Sequence, residues 1–173
     1  MYPLFYKNKF VVGGQMLNND ILRRVRYALN IKDRTMLEIF KYGENPISHE
    51  ELINLLKREG EEDFLKCSNR VLEAFLDGLI ILKRGKQEPK DGKVYEPVKI
   101  TKNNINNIIL KKLKIALAFK SEEMLEIFKL AGLELSSSEL SAVFRKEDHK
   151  NYRECGDKYI RNFLKGLTIY YRG

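Results

Sequence analysis

The chain contains no tryptophan, and cysteine and histidine are scarce, with two of each among 173 residues. Two cysteines are too few for a disulfide-stabilised scaffold. The two histidines and two cysteines are spread over the chain, so they lack the ligand spacing of a zinc site. No uninterrupted apolar run approaches the roughly 20 residues that cross a bilayer. These absences exclude the disulfide-rich, zinc-binding and membrane-spanning classes of protein.

Recognisable catalytic motifs are missing as well. The sequence has no glycine-rich loop of the phosphate-binding kind and no Ser-His-Asp arrangement in a familiar local context. Its first ten residues lack the basic opening and apolar stretch of a secretory signal. With so few cysteines, the cytoplasm is the expected compartment. The sequence therefore predicts no catalytic residue, no cofactor and no metal site.

The chain contains two tandem copies of one unit. Residues 18–85 align with residues 106–173 without an insertion or deletion. The motif MLEIFK occurs at 36–41 and 124–129, and each copy ends in Arg-Gly. A unit of this size is near the lower limit for burying its own core. We therefore expect the two copies to stabilise each other.

Apolar residues in each copy recur with helical spacing. In the first copy the predicted helices begin near Ile21, cover 33–43, start again after Ser48 and end with 69–84, while 59–66 is a short helix or a turn. Each copy should thus hold four or five helices. Ser48 and Ser136 each begin a Ser-x-x-Glu capping box. The other predicted N-caps are Asp33, Ser121, Asn69 and Asp157.

One glycine lies inside the last predicted helix of each copy, at positions 78 and 166. Glycine within a helix costs about 0.5–1 kcal/mol relative to alanine. Its presence at both Gly78 and Gly166 indicates a helix crossing that leaves no room for a β-carbon. A strand over 79–82 is the alternative, but the spacing before it favours a helix.

These patterns predict an all-α fold with two tandem homologous helical domains related by a pseudo-twofold axis, packed partly through the helices that carry Gly78 and Gly166. The predicted boundaries are an N-terminal extension over 1–15, a first repeat over 16–85, a linker over 86–105 and a second repeat over 106–173. Proline and glycine in the segment between the repeats are typical of a linker.

The net charge of +8 makes nucleic acid a candidate partner. The charge is unevenly placed, since the first repeat is neutral and the second carries an excess of basic residues. The first helix of each repeat has three basic residues opposite its apolar stripe: Arg23, Arg24, Arg26, Lys111, Lys112 and Lys114. Such residues are also the ordinary solvent-facing side of an amphipathic helix.

Two related basic helices could contact phosphates about a pseudo-twofold duplex. Tyrosines that could stack on bases are Tyr27, Tyr152, Tyr159, Tyr170 and Tyr171. In this interpretation the six basic residues of the two helices are the predicted nucleic-acid contacts.

The pair Cys155 and His149 could in principle act as nucleophile and base. The first repeat keeps the cysteine, as Cys67, but has Glu61 in place of the histidine. A cysteine kept without its supposed base is interpreted as a small buried side chain. The acidic segment over 59–63 could hold Mg²⁺, but an acidic run is usually a solvated surface.

The sequence also resembles the YehS-like family of small bacterial proteins, which have a duplicated helical domain of unknown function. The resemblance is carried by 107–117, 146–157 and 163–167 in the second repeat, and by 19–29 and 75–85 in the first. It extends over about 16–173 and implies a cytoplasmic, all-helical protein. It implies no reaction, ligand or partner, so no functional residue is transferred.

The preferred interpretation is a non-enzymatic binding or adaptor module with an unknown protein partner or nucleic acid as its ligand. Nucleic-acid binding through the paired basic helices is the alternative. A third hypothesis is an enzyme centred on the loop over 146–157. The sequence predicts no membrane interaction and leaves the oligomeric state open.

Overall fold

The computed structural model describes residues 16–86, 88–93 and 97–173. The predicted extension over 1–15 lies outside the described residues. Within them the protein forms eight helices and no strand. The helices are α1 (Asn18–Leu29), α2 (Asp33–Tyr42), α3 (His49–Leu55), α4 (Asn69–Arg84), α5 (Ile105–Ala116), α6 (Ser121–Leu130), α7 (Ser137–Phe144) and α8 (Asp157–Arg172).

Each repeat therefore has four helices. The segment over 59–66, for which a short helix was one prediction, consists of turns and extended chain. The strand alternative over 79–82 is wrong, because these residues lie within α4. The all-α fold class is confirmed.

Within each repeat, the last helix crosses the second. In the first repeat α4 packs on α2, and in the second α8 packs on α6. A β-carbon on Gly78 would overlap the carbonyl oxygen of Ile39, and one on Gly166 would overlap that of Ile127. The predicted close crossing is confirmed at both glycines. Its place is inside each repeat, since both glycines face their own repeat's second helix.

The two repeats are joined by an exchange of helices. The first helix of each repeat packs against the last helix of the other, α1 on α8 and α5 on α4. The two contacts are interchanged when the repeats are interchanged, which is the relation that a pseudo-twofold axis produces. The helices that carry the glycines thus do join the repeats, but through faces other than the glycine faces.

The apolar residues of both repeats form one continuous core. Leu22 and Leu110 are both fully buried. Phe75 lies 5.4 Å from the ring of Phe40 at 48°, and its counterpart Phe163 lies 5.5 Å from Phe128 at 50°. Equivalent side chains therefore have equivalent surroundings, as the duplication predicts.

The serine half of the capping-box prediction is confirmed for the third helix of each repeat. The Ser48 hydroxyl accepts from the Glu51 amide at 3.1 Å, and the Ser136 hydroxyl accepts from the Glu139 amide at 3.1 Å. These bonds satisfy one free amide at the start of α3 and one at the start of α7.

The other predicted N-caps are wrong by one residue. Lys32 and Lys120 occupy the cap positions of α2 and α6, so that Asp33 and Ser121 are the first helical residues. Ser68 caps α4 by accepting from the Val71 amide at 3.2 Å, and Gly156 occupies the cap of α8 without a side chain. Asn69 and Asp157 instead accept side-chain hydrogen bonds from Asn18 and Asn106, both at 2.8 Å.

A buried asparagine closes the loop before the last helix in each repeat. The Asn19 side-chain amide donates to the carbonyls of Leu55 and Leu65 at 2.9 and 2.8 Å, and its oxygen accepts from the Cys67 amide at 2.9 Å. In the second repeat Asn107 makes the same three bonds, to Val143, Arg153 and Cys155. Because every polar group is paired, the side chain can be buried without an uncompensated desolvation cost.

Candidate anion-binding groove of the second repeat

Both cysteines are free and buried, at equivalent places before α4 and α8. Burial raises the pKa of Cys67 to about 12. Burial, assisted by Asp157 and Glu154, also raises the pKa of Cys155 to about 12. The imidazole of His149 accepts from the Asn151 amide at 3.0 Å within its own loop. These thiols stay protonated at neutral pH, which fits their interpretation as small core residues.

Metal chemistry finds no support in the part of the chain that the structure describes. No three His, Cys, Asp or Glu side chains come together there in a group that could hold a metal ion. The acidic segment over 59–63 is exposed and lies in turns.

The basic residues of α1 are half-buried and mostly paired. Arg23 donates to the carbonyl of Lys57 at 2.6 Å and forms an ion pair with Asp20. Arg26 donates to the carbonyl of Ile31 at 3.1 Å and forms an ion pair with Asp33. Arg24 is half-buried as well. This side of α1 is less open to solvent than its sequence pattern indicates.

On α5 the three lysines differ from one another. Lys111 is exposed. Lys112 reaches across the repeat interface to two carboxylates of α4, with its ammonium 3.3 Å from Glu73 and also bonded to Asp77. Lys114 lies over the ring of Phe144, 5.6 Å from its centroid. Lys112 thus joins the two repeats, whereas Lys111 and Lys114 face outward beside α7.

Lys111 and Lys114 line a groove of about 340 Å³ between α5, the start of α6 and α7. Three of the lining residues are basic, two carry hydroxyl groups, one is aromatic and none is acidic. They are Lys111, Lys114, Ile115, Ser121, Leu140, Ser141, Phe144 and Arg145. Arg145 donates only to the carbonyl of Asn151, at 3.4 Å, among the described residues.

The duplication supplies an internal reference for this groove. In the first repeat Asp20 and Asp33 neutralise the arginines that correspond to Lys111 and Lys114. The second repeat has Ile108 and Ser121 at the positions of these two acids. The second repeat therefore has the basic residues without the carboxylates at these two positions. Unopposed positive charge of this kind raises the local concentration of anions.

A second concave surface, of about 460 Å³, has the opposite character. It lies where α2 and α4 meet the end of the linker, and Val98 and Ile100 form one edge. Glu44, Glu73 and Asp77 line it, with Arg70 as its basic residue. Two of these acids, Glu73 and Asp77, already pair with Lys112, so much of the negative charge of this surface is neutralised within the protein.

The tyrosines named above have different surroundings. The guanidinium of Arg172 lies over the ring of Tyr27, 4.6 Å from the centroid of that ring. Tyr159 packs edge-on against Phe128. The hydroxyl of Tyr152 is buried and has no hydrogen-bond partner in the described structure. Tyr170 and Tyr171 are 41% and 44% exposed, so of the five they are the ones most open to a ligand.

Comparison with known proteins places the duplication in a family. The family DUF1456, described as a protein of unknown function, matches residues 18–85 and again residues 106–173. The chain belongs to the DUF1456 family. It is 42% identical over 153 residues to the uncharacterized protein YehS of Escherichia coli (strain K12), covering 88% of this chain and 95% of that protein. No solved structure matches it.

This DUF1456 protein also lacks a helix suited to crossing a bilayer, within the described residues. The family confirms the resemblance seen in the sequence and describes no activity. Sequence reasoning named Lys111 and Lys114 but missed Ser121, Phe144 and Arg145, which α6 and α7 bring to the same groove. The signal available in the sequence was that positions 108 and 121 are not acidic, whereas their counterparts 20 and 33 are.

Proposed function

We propose that the protein is a non-enzymatic binding module whose ligand is an anion held in the groove of Lys111, Lys114 and Arg145. One observation carries this proposal. The equivalent arginines of the first repeat are neutralised by Asp20 and Asp33, whereas the second repeat has no carboxylate at those positions.

The physical basis is convergence of charge on a shallow surface. A single exposed pair of opposite charges 4 Å apart gains only about 1 kcal/mol in bulk water. Three basic groups around one groove add their fields, and the apolar walls of Phe144 and Ile115 reduce screening by solvent. Binding should weaken with added salt, since the Debye length is about 8 Å at physiological ionic strength.

Heparin is a suitable first probe because it presents many sulfates without requiring base recognition. The test compares the salt concentration that elutes each protein from immobilised heparin. The groove variant carries Lys111→Gln, Lys114→Gln and Arg145→Gln. The control carries Lys41→Gln, Lys83→Gln and Lys129→Gln, which removes the same charge from exposed lysines elsewhere.

We expect the groove variant to elute at clearly lower salt than the wild type, and the control to elute close to it. Equal elution of the two variants would overturn the proposal, because net charge alone would then explain retention.

The second candidate is nucleic-acid binding by the paired helices α1 and α5. Their exchange under the pseudo-twofold relation supports it, since duplex-binding helices commonly act in symmetric pairs. The internal ion pairs of Arg26 and Lys112 weigh against a symmetric contact. Retention on duplex DNA should fall steeply with salt and weaken when Arg23, Arg24, Lys111 and Lys112 are neutralised. No retention at low salt would remove this candidate.

A cytoplasmic location belongs to the same proposal. Both cysteines are free thiols in the core, which suits a reducing compartment. Fractionation of cells that express the native protein tests this, and recovery from an exported or membrane fraction would contradict it.

A further inference from the structure

A cluster of three aromatic rings lies at the end of α8. Tyr170 packs edge-on against Phe119, with centroids 5.6 Å apart, and Tyr171 lies 6.3 Å from the same ring. The two tyrosines are 5.1 Å apart at 81°. Phe119 is nearly buried beneath them, while Tyr170 and Tyr171 remain 41% and 44% exposed. The rings therefore form a supported surface patch.

This aromatic cluster belongs to the second repeat alone. The first repeat has Ile31, Leu82 and Lys83 at the three equivalent positions. The repeat without the neutralising carboxylates is thus also the repeat with the exposed rings. Neither feature is a requirement of the repeat fold, because the first repeat has the same helices with other residues at these positions.

The aromatic cluster adjoins the basic groove. Phe119 lies in the loop between α5 and α6, and Ser121, which lines the groove, is two residues further along the chain. Two residues span at most about 7 Å. Ile115, on the other side of Phe119 in the sequence, lines the groove as well. The Phe119 amide also donates to the carbonyl of Lys114 at 3.1 Å. The residue beneath the two tyrosines is therefore bonded to the helix that carries Lys111 and Lys114.

We propose that this combined surface binds single-stranded nucleic acid, with phosphates at Lys111, Lys114 and Arg145 and bases stacked on Tyr170 and Tyr171. The inference rests on the proposed function and names its partner. A basic groove beside exposed aromatic rings is the combination that single-strand-binding proteins use. An acidic peptide would match the charge but would leave the tyrosine faces without a role.

The single strand is favoured over the duplex for a physical reason. In a duplex the base faces are stacked on each other and are not available to Tyr170 and Tyr171.

The test uses fluorescein-labelled oligo(dT) of about 12 nucleotides, within the range of single-strand site sizes. Fluorescence anisotropy then gives the Kd. The first variant carries Tyr170→Leu and Tyr171→Leu, and its matched control carries Tyr170→Phe and Tyr171→Phe. Loss of base stacking should raise the Kd about tenfold or more in the leucine variant. The phenylalanine variant keeps the rings and should bind within about twofold of the wild type, since its stacking faces are unchanged.

A second readout needs no labelled ligand. The chain has no tryptophan, so its intrinsic emission comes from tyrosine. Stacked bases should quench part of this emission in the wild type, and less of it in the phenylalanine variant, which lacks the two responding tyrosines. Circular dichroism should show unchanged helix content in both variants, because the two side chains are at the surface.

Three results would overturn the inference. The first is a leucine variant that binds oligo(dT) like the wild type. The second is tighter binding of a duplex than of the single strand. The third is absence of oligo(dT) binding while the tyrosines instead mediate a concentration-dependent dimer in sedimentation. If heparin retention still depends on Lys111, Lys114 and Arg145 in that case, the anion-binding proposal stands and only the nucleic-acid inference fails.

Discussion

Gly78 lies directly against the carbonyl oxygen of Ile39, and a β-carbon at this position would overlap that oxygen. The second repeat reproduces the relationship between Gly166 and Ile127. The obstacle is backbone, which cannot move aside as a flexible side chain can. The close crossing of the last helix on the second is therefore built into both copies.

The first prediction concerns this crossing. Gly78→Ala or Gly166→Ala should lower the free energy of unfolding by about 1–3 kcal/mol, the usual range for overpacking, despite the better helix propensity of alanine. Lys165→Ala, one residue before Gly166 and exposed, should change stability by less than about 0.5 kcal/mol. Chemical denaturation followed by circular dichroism measures both. Equal stability of the glycine variants and this control would refute the close-packing account.

The second prediction concerns the buried asparagines. Asn19→Ala would leave two carbonyls and one amide without their partner, at a cost of about 1–3 kcal/mol for each group that stays dry. We therefore expect a loss of at least about 3 kcal/mol, and a similar loss for Asn107→Ala. Asn103→Ala, at an exposed position, is the control. A loss below about 1 kcal/mol at Asn19 would show that water or rearrangement replaces these bonds.

The third prediction uses the difference between the caps of α4 and α8. Ser68 caps α4 with its hydroxyl, whereas Gly156 has no side chain, and a β-carbon there would meet no atom within 4 Å. Gly156→Ser should stabilise the protein by a few tenths of a kcal/mol, and Ser68→Ala should destabilise it by about 1 kcal/mol. Thermal unfolding compares the two. A destabilising Gly156→Ser would mean that the start of α8 differs from the start of α4.

The fourth prediction concerns pH. The thiol pKa of Cys67 and Cys155 is about 12 in the folded protein against a reference value of 9.0. Since the folded state keeps its protons between these values, their contribution to stability is complete below about pH 9 and falls as the pH rises towards 12. The expected loss is about 1.4 kcal/mol per pH unit and thiol in that interval.

The measurement for this prediction is unfolding by denaturant at pH 8, 9 and 10 in the wild type and in the double variant Cys67→Ala/Cys155→Ala. Tyrosine and lysine titrate in the same range, so the informative quantity is the difference between the two proteins. A difference independent of pH would show that the thiols are not protected from ionisation.

The helices were predictable because helical spacing is a property of local sequence. The duplication was predictable because the two segments can be compared directly. Apolar spacing placed the ends of α4 within one residue, and Gly78 with Gly166 indicated a crossing without a β-carbon. The partner in that crossing was not predictable, because a helical pattern shows that one face is buried and leaves its neighbour open. The exchange of α1 and α5 between the repeats depends on contacts distant in sequence.

In the candidate site, too, residues on one helix were predictable and contacts between helices were not. Its basic residues on α5 were identified from the sequence, but Lys112 was grouped with them although it pairs with Glu73 and Asp77 of α4. A helical wheel with one buried stripe cannot show that a second helix covers the other side. Phe144 and Arg145 were missed because they lie at the end of α7, some 30 residues after the lysines of α5 in the sequence.

Anion binding by the second repeat is proposed because it has no counterpart of the two acids that neutralise Arg23 and Arg26 in the first. The most direct measurement restores them. Ile108→Asp with Ser121→Asp places carboxylates at the positions of Asp20 and Asp33, and the salt concentration that elutes this variant from heparin is compared with that of the wild type. The account predicts that elution falls to the level of the Lys111→Gln/Lys114→Gln/Arg145→Gln protein. Elution at the wild-type salt concentration, from a variant with unchanged helix content, would contradict it.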